Sequence, residues 1–412
     1  MYIFFQKVPQ HIWIAISSVI SKVIGALTQI VIVKYLLSEL GATGFSTYTL
    51  LAALLAWSVL VDFGIGNSLQ NFISERRAKK KNYELYILSS FIFLTPAILL
   101  LLCISYYIAS SISSIYLSGD AFHSEEQKNI LVYATLSLFA INSFAAIIYK
   151  VLYAENRGWI ANIYISLGWL LGLVFVVVYT QLDFQMTVLW AIFLFYFPST
   201  IIPVFVLLIK LSELKVKISL TETFSIFKKI MSRGIGFWVF AIMSTLALQA
   251  DYIVMSQRLN SIEITKYAIT MKIFGISTLL YQAILHALWP VCAELRAKGK
   301  WHELGTIINR YLFFAIILIV IFSISIIIYK DMIFSLFSSD IEVPIITLLL
   351  FGIYFIVRVW TDTYAVLLQS MNIIRPFFIL VPIQALLSIN LQWYLSGIYG
   401  LNGILIGLTY RF

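Results

Sequence analysis

The sequence predicts an all-α polytopic membrane protein of about twelve transmembrane helices, and three observations carry that expectation. Hydrophobic residues make up 61% of the 412-residue chain and charged residues only 11%, whereas a typical soluble domain is about 25% charged. Apolar runs of bilayer-spanning length recur from one end to the other, and the basic residues fall in alternate connectors between them. So little charge cannot cover a water-soluble globule of this size. Soluble enzymes, nucleic-acid binders and disordered chains are excluded together.

A spanning helix needs about 20 mostly apolar residues. Such runs occur at 12–33, 45–65, 85–108, 129–152, 159–179, 186–209, 234–256, 264–289, 309–329, 343–367, 373–394 and 397–412. Arg375-Pro376 marks the junction before the eleventh, and the last is only just long enough. Orientation follows from the excess of Lys and Arg in short cytoplasmic loops. With the N-terminus inside, 20 of the 28 basic residues lie in cytoplasmic segments, including Arg76 to Lys81, Lys150, Arg157 and the 210–233 connector. The opposite side holds only Lys34, Lys128, Arg258 and Lys330. The alternation places both termini in the cytoplasm. The net charge of +9 therefore reports topology and anionic headgroups rather than nucleic acid.

Residues 1–209 form an expected N-terminal lobe of six helices, 210–233 a cytoplasmic linker, and 234–412 a C-terminal lobe of six. In the linker, Leu220, Phe224, Phe227 and Ile230 beside Lys228 and Lys229 suit either a short amphipathic helix on the inner membrane surface or a solvated connector. The halves echo each other faintly: LGATGFSTY (Leu40, Tyr48) leads into the second helix and LNSIEITKY (Leu259, Tyr267) into the eighth. Cys103 and Cys292 are too distant in sequence to suggest a disulfide framework and read as small buried hydrophobes. No cleavable signal peptide is evident, because the first apolar stretch lacks a small-residue cleavage site.

Charges inside spans cost roughly 2.5–3.5 kcal/mol each on insertion scales, so each needs a reason. Lys22 sits midway along the first helix with Ser18, Gly25 and Gln29 on its face, which fits a cavity lining better than snorkelling. Lys272 shares a face of the eighth helix with Gly275, Leu279 and His286, with Gln282 at its edge. Arg358 has Asp362 one turn on, with Tyr354, Thr361 and Gln369 nearby; the pair reads either as mutual neutralisation or as a binding and coupling site. Asp251, on a face with Ser244, can be hydrated, partner a base or carry a coupling cation. Asp62, in VDFGIGNS, reads as a cap on the end of the second helix or as the organiser of the glycine turn.

Cations set among lipid with few acids point to an anionic cargo. Phosphate or diphosphate fits, since Arg and Lys give charge-assisted hydrogen bonds to its oxygens. Tyr149, Tyr153, Trp169, Trp238, Tyr281, Trp289 and Tyr354 can stack on sugar rings, or belong to interface belts and packing. The sequence has no Walker lysine loop, His/Glu metal cluster, Cys/His pair or Ser-Lys dyad, so an enzyme, a metal site or a cofactor is not expected.

The chain resembles the O-antigen flippases of the polysaccharide transporter family, within the multidrug/oligosaccharidyl-lipid/polysaccharide exporter superfamily. The resemblance covers essentially the whole chain. It rests on SSVISKVIGALTQI, LGATGFSTYTLLAAL, DFGIGNS, LYAENRGWIANIYISLGWLLG and, above all, QADYIVMSQRLNSIEITKYAITMKIFG. It implies two six-helix, MATE-like lobes around a central cavity in the bacterial inner membrane. It also implies alternating access that moves undecaprenyl-diphosphate-linked repeat units to the periplasmic leaflet. On that resemblance Lys22, Lys272 and Arg358 attract the diphosphate, Asp251 or Asp362 provides coupling or charge balance, and Gln29, Tyr354 and Gln369 complete a polar face. The implied partners are the lipid-linked glycan, an O-antigen polymerase and chain-length regulator, and Na+ or H+ as coupling ion. An ion-coupled multidrug exporter of the same superfamily is the main alternative, favoured by an acid-rich lobe. A polytopic polysaccharide polymerase would need a large outer loop, which the sequence lacks, and a passive scaffold makes poor use of five costly charges.

Overall fold

In the computed structural model the described residues are 10–119, 123–182, 184–215, 219–338, 341–370 and 375–410, and they are helical with no strand among them. The helices are α1 (Gln10–Ala53), a 3₁₀ segment Leu54–Asp62, α2 (Ile65–Ala78), α3 (Glu84–Tyr116), α4 (Glu125–Ala154), α5 (Gly158–Gln181) and α6 (Val188–Glu213). They continue as α7 (Leu220–Arg258), α8 (Ser261–Ala297), α9 (Trp301–Ile328), the short α10 (Lys330–Ser335), α11 (Ile345–Ser370), α12 (Arg375–Tyr399) and α13 (Leu401–Thr409).

Nine stretches among the described residues are long and apolar enough to cross a membrane. The first, Trp13–Asp62, has 50 residues, enough for two crossings. Its regularity breaks at Gly41 (φ 63°, ψ −179°), where the sequence predicts a connector. Counting it twice and adding the 37-residue α8 brings the number to eleven of the expected twelve. Of the twelfth, expected at 397–412, the described residues include α13, which packs along α12. Gly403 and Gly407 allow the contact, since a Cβ on either would run into Leu395 or Gln392 of α12.

The chain divides into two compact units. The first comprises residues 1–35, 50–117 and 121–245, and the second residues 36–49, 118–120 and 246–412. In the first unit α4 is the hub, touching α2, α3, α5, α6 and the 3₁₀ segment. Its core includes Ile65, Leu69, Ile87, Phe91, Ile147, Ile148, Leu207, Ile226 and Ile230. The last two belong to α7, so this part of the expected linker is a strut of the first unit. Of the expected apolar stripe, Leu220 and Phe224 are exposed, while Ile230 is buried and Phe227 packs partly buried on the core, joined by Ile226. Ser68 Oγ donates to the Ile230 carbonyl at 2.7 Å and Ser89 Oγ to that of Thr223 at 2.6 Å, both buried. Arg233 pairs with Glu75 at 2.8 Å.

The stretch expected to be a loop after the second span is α2, started by a left-handed Phe63–Gly64 turn (φ 52° and 71°). Asp62 organises that turn, its Oδ1 accepting from the Gly64 N–H at 2.7 Å. Helix α7 crosses it closely: a Cβ on Gly64 would overlap the Gly234 carbonyl oxygen, and Trp238 Nε1 donates to the Leu60 carbonyl at 2.8 Å. In the second unit α11 contacts α8, α9 and α13, and Thr265 donates to the Ala42 carbonyl at 3.0 Å. Cys292 is buried as expected, whereas Cys103 is exposed on α3.

Candidate functional site

The second unit gathers most of the intramembrane charges. Helix α11 presents Phe351, Tyr354 and Phe355 to the core at i, i+3 and i+4, each at most 1% exposed. That fixes its register and sets Arg358 one turn further on. Arg358 receives support on both sides along its helix: NH1 donates to the Tyr354 hydroxyl at 3.4 Å, and Nε lies 3.8 Å from Asp362 Oδ2. The expected i,i+4 pair therefore forms, at the long end of an ion pair and with both side chains partly accessible, 26% and 34%. One turn beyond Val359, Thr363 shares a 2.6 Å hydrogen bond with Tyr281 of α8.

Asp251 of α7 is 2% exposed, and its Oδ2 accepts from the Tyr267 hydroxyl of α8 at 2.5 Å. The Tyr267 ring lies 5.7 Å from Phe351, and Phe351 and Phe355 both stack near Phe274. An aromatic ladder thus joins the Asp251–Tyr267 pair to the stretch of α11 that carries Arg358. Sequence reasoning named Asp251 but missed its tyrosine partner; the signal available was the Leu–Tyr echo that singled out Tyr267. Lys272 lies on α8, half-buried, five residues beyond Tyr267. The side chains of Gln369 and His286 are outside the described ones.

In the first unit Lys22 is exposed on α1 and Gln29 half-buried. Gly25, expected on the same face as Lys22, instead packs against the Trp169 indole, where a Cβ would sit 3.4 Å from the ring. The polar stripe of α1 thus divides between an exposed lysine and a helix contact. Ser17, close by in sequence, accepts from Asn162 Nδ2 at 2.9 Å, and Asn162 in turn accepts from the Tyr153 hydroxyl.

Some residues assigned to connectors prove to be structural ties. Lys210 pairs with Glu155 at 2.7 Å, their side chains only 16% and 6% exposed. Tyr83 donates to the same carboxylate at 3.0 Å. Burial and the Glu155 charge push the Tyr83 phenol up to about 12. Arg77 donates to the Ala154 carbonyl. Lys150 lies within α4, its stem close to Gly66, the residue that Asp62 also approaches.

Helices of span length, small residues at helix contacts and costly charges kept inside them define a multi-pass membrane protein. The solved structures share this fold. An inward-facing multidrug resistance MATE family transporter matches with a TM-score of 0.70 at 15% identity, over 96% of this chain and 94% of its own. The lipid II flippase MurJ, in an inward closed conformation, matches with a TM-score of 0.70 at 15% identity, over 97% and 85%. The family described as polysaccharide biosynthesis protein matches residues 14–296, and the MatE family residues 237–394. A protein of Salmonella typhi named as an O-antigen transporter is 38% identical over 98% of this chain and 94% of its own. The chain belongs to the polysaccharide biosynthesis protein family of membrane transporters. It is a transporter and not an enzyme.

Proposed function

We propose that the protein is a flippase for undecaprenyl-diphosphate-linked O-antigen repeat units. It carries them from the cytoplasmic to the periplasmic leaflet of the bacterial inner membrane by alternating access, with both of its termini in the cytoplasm. The observation that carries this reading is the 38% identity, across nearly the whole of both chains, to the Salmonella typhi O-antigen transporter. The intramembrane cations agree with a diphosphate cargo: Lys22 is exposed on its helix and Arg358 retains partial access beside Tyr354 and Asp362. Lys22, Lys272 and Arg358 attract the diphosphate, while Asp251 and Asp362 balance charge or take up a coupling Na+ or proton. Gln29, Tyr354 and Gln369 add polar contacts, and the polymerase and chain-length regulator act on the delivered unit.

The test is complementation of a strain deleted for its own O-antigen transporter. The wild-type chain should restore surface O-antigen and clear lipid-linked units from the cytoplasmic leaflet, and Lys22→Ala, Lys272→Ala and Arg358→Ala should each reduce restoration. Unchanged surface O-antigen in all three, at normal protein levels, would refute the cationic reading. The MatE match over 237–394 favours multidrug export as the second reading. Restored drug tolerance without restored O-antigen would select it.

A further inference from the structure

Within the first unit, α4, α5 and α6 surround a pocket of about 210 Å³. One water needs about 10–15 Å³ of such volume, and drug-sized ligands occupy roughly 300–1,000 Å³. The pocket therefore suits one ring-sized group rather than an oligosaccharide or a large drug. Its walls include Tyr149, Tyr164, Trp169 and Tyr196, together with Asn142 and Ser199.

The walls are held in place from behind. Trp169 packs against Phe195 and Tyr196 at 5.6 and 6.2 Å, and Gly25 of α1 closes on its indole. Gly168 and Gly172 bring α5 against α6, where a Cβ on Gly168 would meet Ser199 Oγ at 2.8 Å. Asn142 Nδ2 donates to the Ser199 carbonyl at 2.7 Å, which fixes the amide and leaves Oδ1 with no hydrogen bond among the described residues. Ser199 Oγ is buried without a partner. The Tyr149 and Tyr164 hydroxyls and Trp169 Nε1 likewise make no hydrogen bond among the described residues.

Buried polar groups in a protein interior are almost always satisfied, and at membrane depth there is little water to do it. The buried Ser199 Oγ, together with the four accessible polar atoms of Asn142, Tyr149, Tyr164 and Trp169 that have no partner among the described residues, therefore asks for a ligand that carries hydroxyls. The aromatic walls ask, in addition, for an apolar face. A hydrocarbon chain meets only the second demand and a phosphate only the first. A pyranose meets both, with ring C–H groups against the indole and hydroxyls toward the polar atoms.

We infer that this pocket seats one sugar ring of the transported glycan, with Trp169 as the platform and Tyr149, Tyr164, Asn142 and Ser199 reading its hydroxyls. The inference rests on the glycan-flippase reading and adds to it a subsite for sugar discrimination, separate from the residues assigned to the diphosphate.

The experiment uses the full chain in two hosts that lack their own O-antigen transporter and make repeat units differing in one sugar. Protein level in the membrane is followed by immunoblot. Trp169→Leu should lower surface O-antigen at least ~10-fold, and Trp169→Phe, which keeps a ring, should largely restore it. Tyr149→Phe and Ser199→Ala change hydrogen bonding and not shape. Each should shift the ratio of export of the two repeat units ~2- to 10-fold, the range for one net hydrogen bond. A purely structural role would lower both exports together and leave the ratio alone. If Trp169→Leu fails to accumulate, the two shape-conserving variants decide. Unchanged ratios for both, with the wild type active, overturn the sugar subsite and leave the flippase reading standing. A wild type that exports neither unit overturns both.

Discussion

Replacing Gly64 by alanine tests how α7 is locked to the first unit. Gly64 has φ +71°, a conformation that costs an L-residue roughly 1–2 kcal/mol. The new Cβ would overlap the Gly234 carbonyl oxygen and approach the Trp238 backbone nitrogen to 2.9 Å. Both atoms are backbone, so relief requires moving a helix that is itself held by Trp238–Leu60 and Ser68–Ile230 hydrogen bonds. Overpacking of that kind costs about 1–3 kcal/mol, and the two effects together reach about 2–5 kcal/mol. Gly236 is the control. It lies two residues along in the same helix with nothing within 4 Å of its would-be Cβ. Alanine there should be neutral or stabilise by roughly 0.5–1 kcal/mol. The assay is the fraction of purified full-length protein that stays monodisperse on size exclusion after identical heating steps. Gly64→Ala should lose it several degrees below the wild type, and Gly236→Ala at or above it. Equal behaviour of Gly64→Ala and the wild type would refute the proposed close crossing.

Glu155→Gln removes the partner of a largely buried Lys210 and should destabilise by about 3 kcal/mol, read by the same heating assay. Tyr83 gives the pH dependence of that cluster. Its phenol titrates at about 12 in the folded chain against 10.0 in the unfolded. Its contribution is thus fully present below pH 10.0 and is lost as pH rises toward about 12. Tyr83→Phe should flatten the fall in thermal stability between those values, and an unaltered profile would count against the contact. Tyr267→Phe leaves Asp251 without its 2.5 Å donor and should cost about 1–3 kcal/mol. Tested with Asp251→Asn in a double-mutant cycle, the two losses should be clearly less than additive.

Much of the fold is legible because lipid imposes a simple code. Long apolar runs and alternating basic connectors read directly as helices, and the Arg358–Asp362 pair is visible in i,i+4 spacing alone. What escapes is set by contacts distant in sequence. Nothing local in 210–233 says that Ile226 and Ile230 share a core with Ile65 and Phe91, so the pattern leaves a membrane-surface helix and a solvated connector equally open. Nor does the apolar run at 397–412 say that Gly403 and Gly407 let α13 lie close against α12. The aromatic list mixed unlike roles: Tyr153 bonds Asn162, Trp238 bonds Leu60 and Tyr281 bonds Thr363, while Tyr149 and Trp169 face a pocket. Composition cannot sort these, because each depends on a partner in another helix, from nine to 178 residues away.

The division of the chain bears on how it can be taken apart. Residues 36–49 lie inside a helix that begins in the first unit yet are counted with the second, and 220–245 lead into the second but are counted with the first. Halves cut at the six-helix midpoint are therefore not self-contained modules. A fragment ending near 215 lacks Ile226 and Ile230 of its own core and should misassemble alone. Coexpressed with the remainder, it should recover through the part of α7 that the other fragment carries. Gene duplication followed by such an exchange of segments would make neither half free to diverge, recombine or be lost without the other.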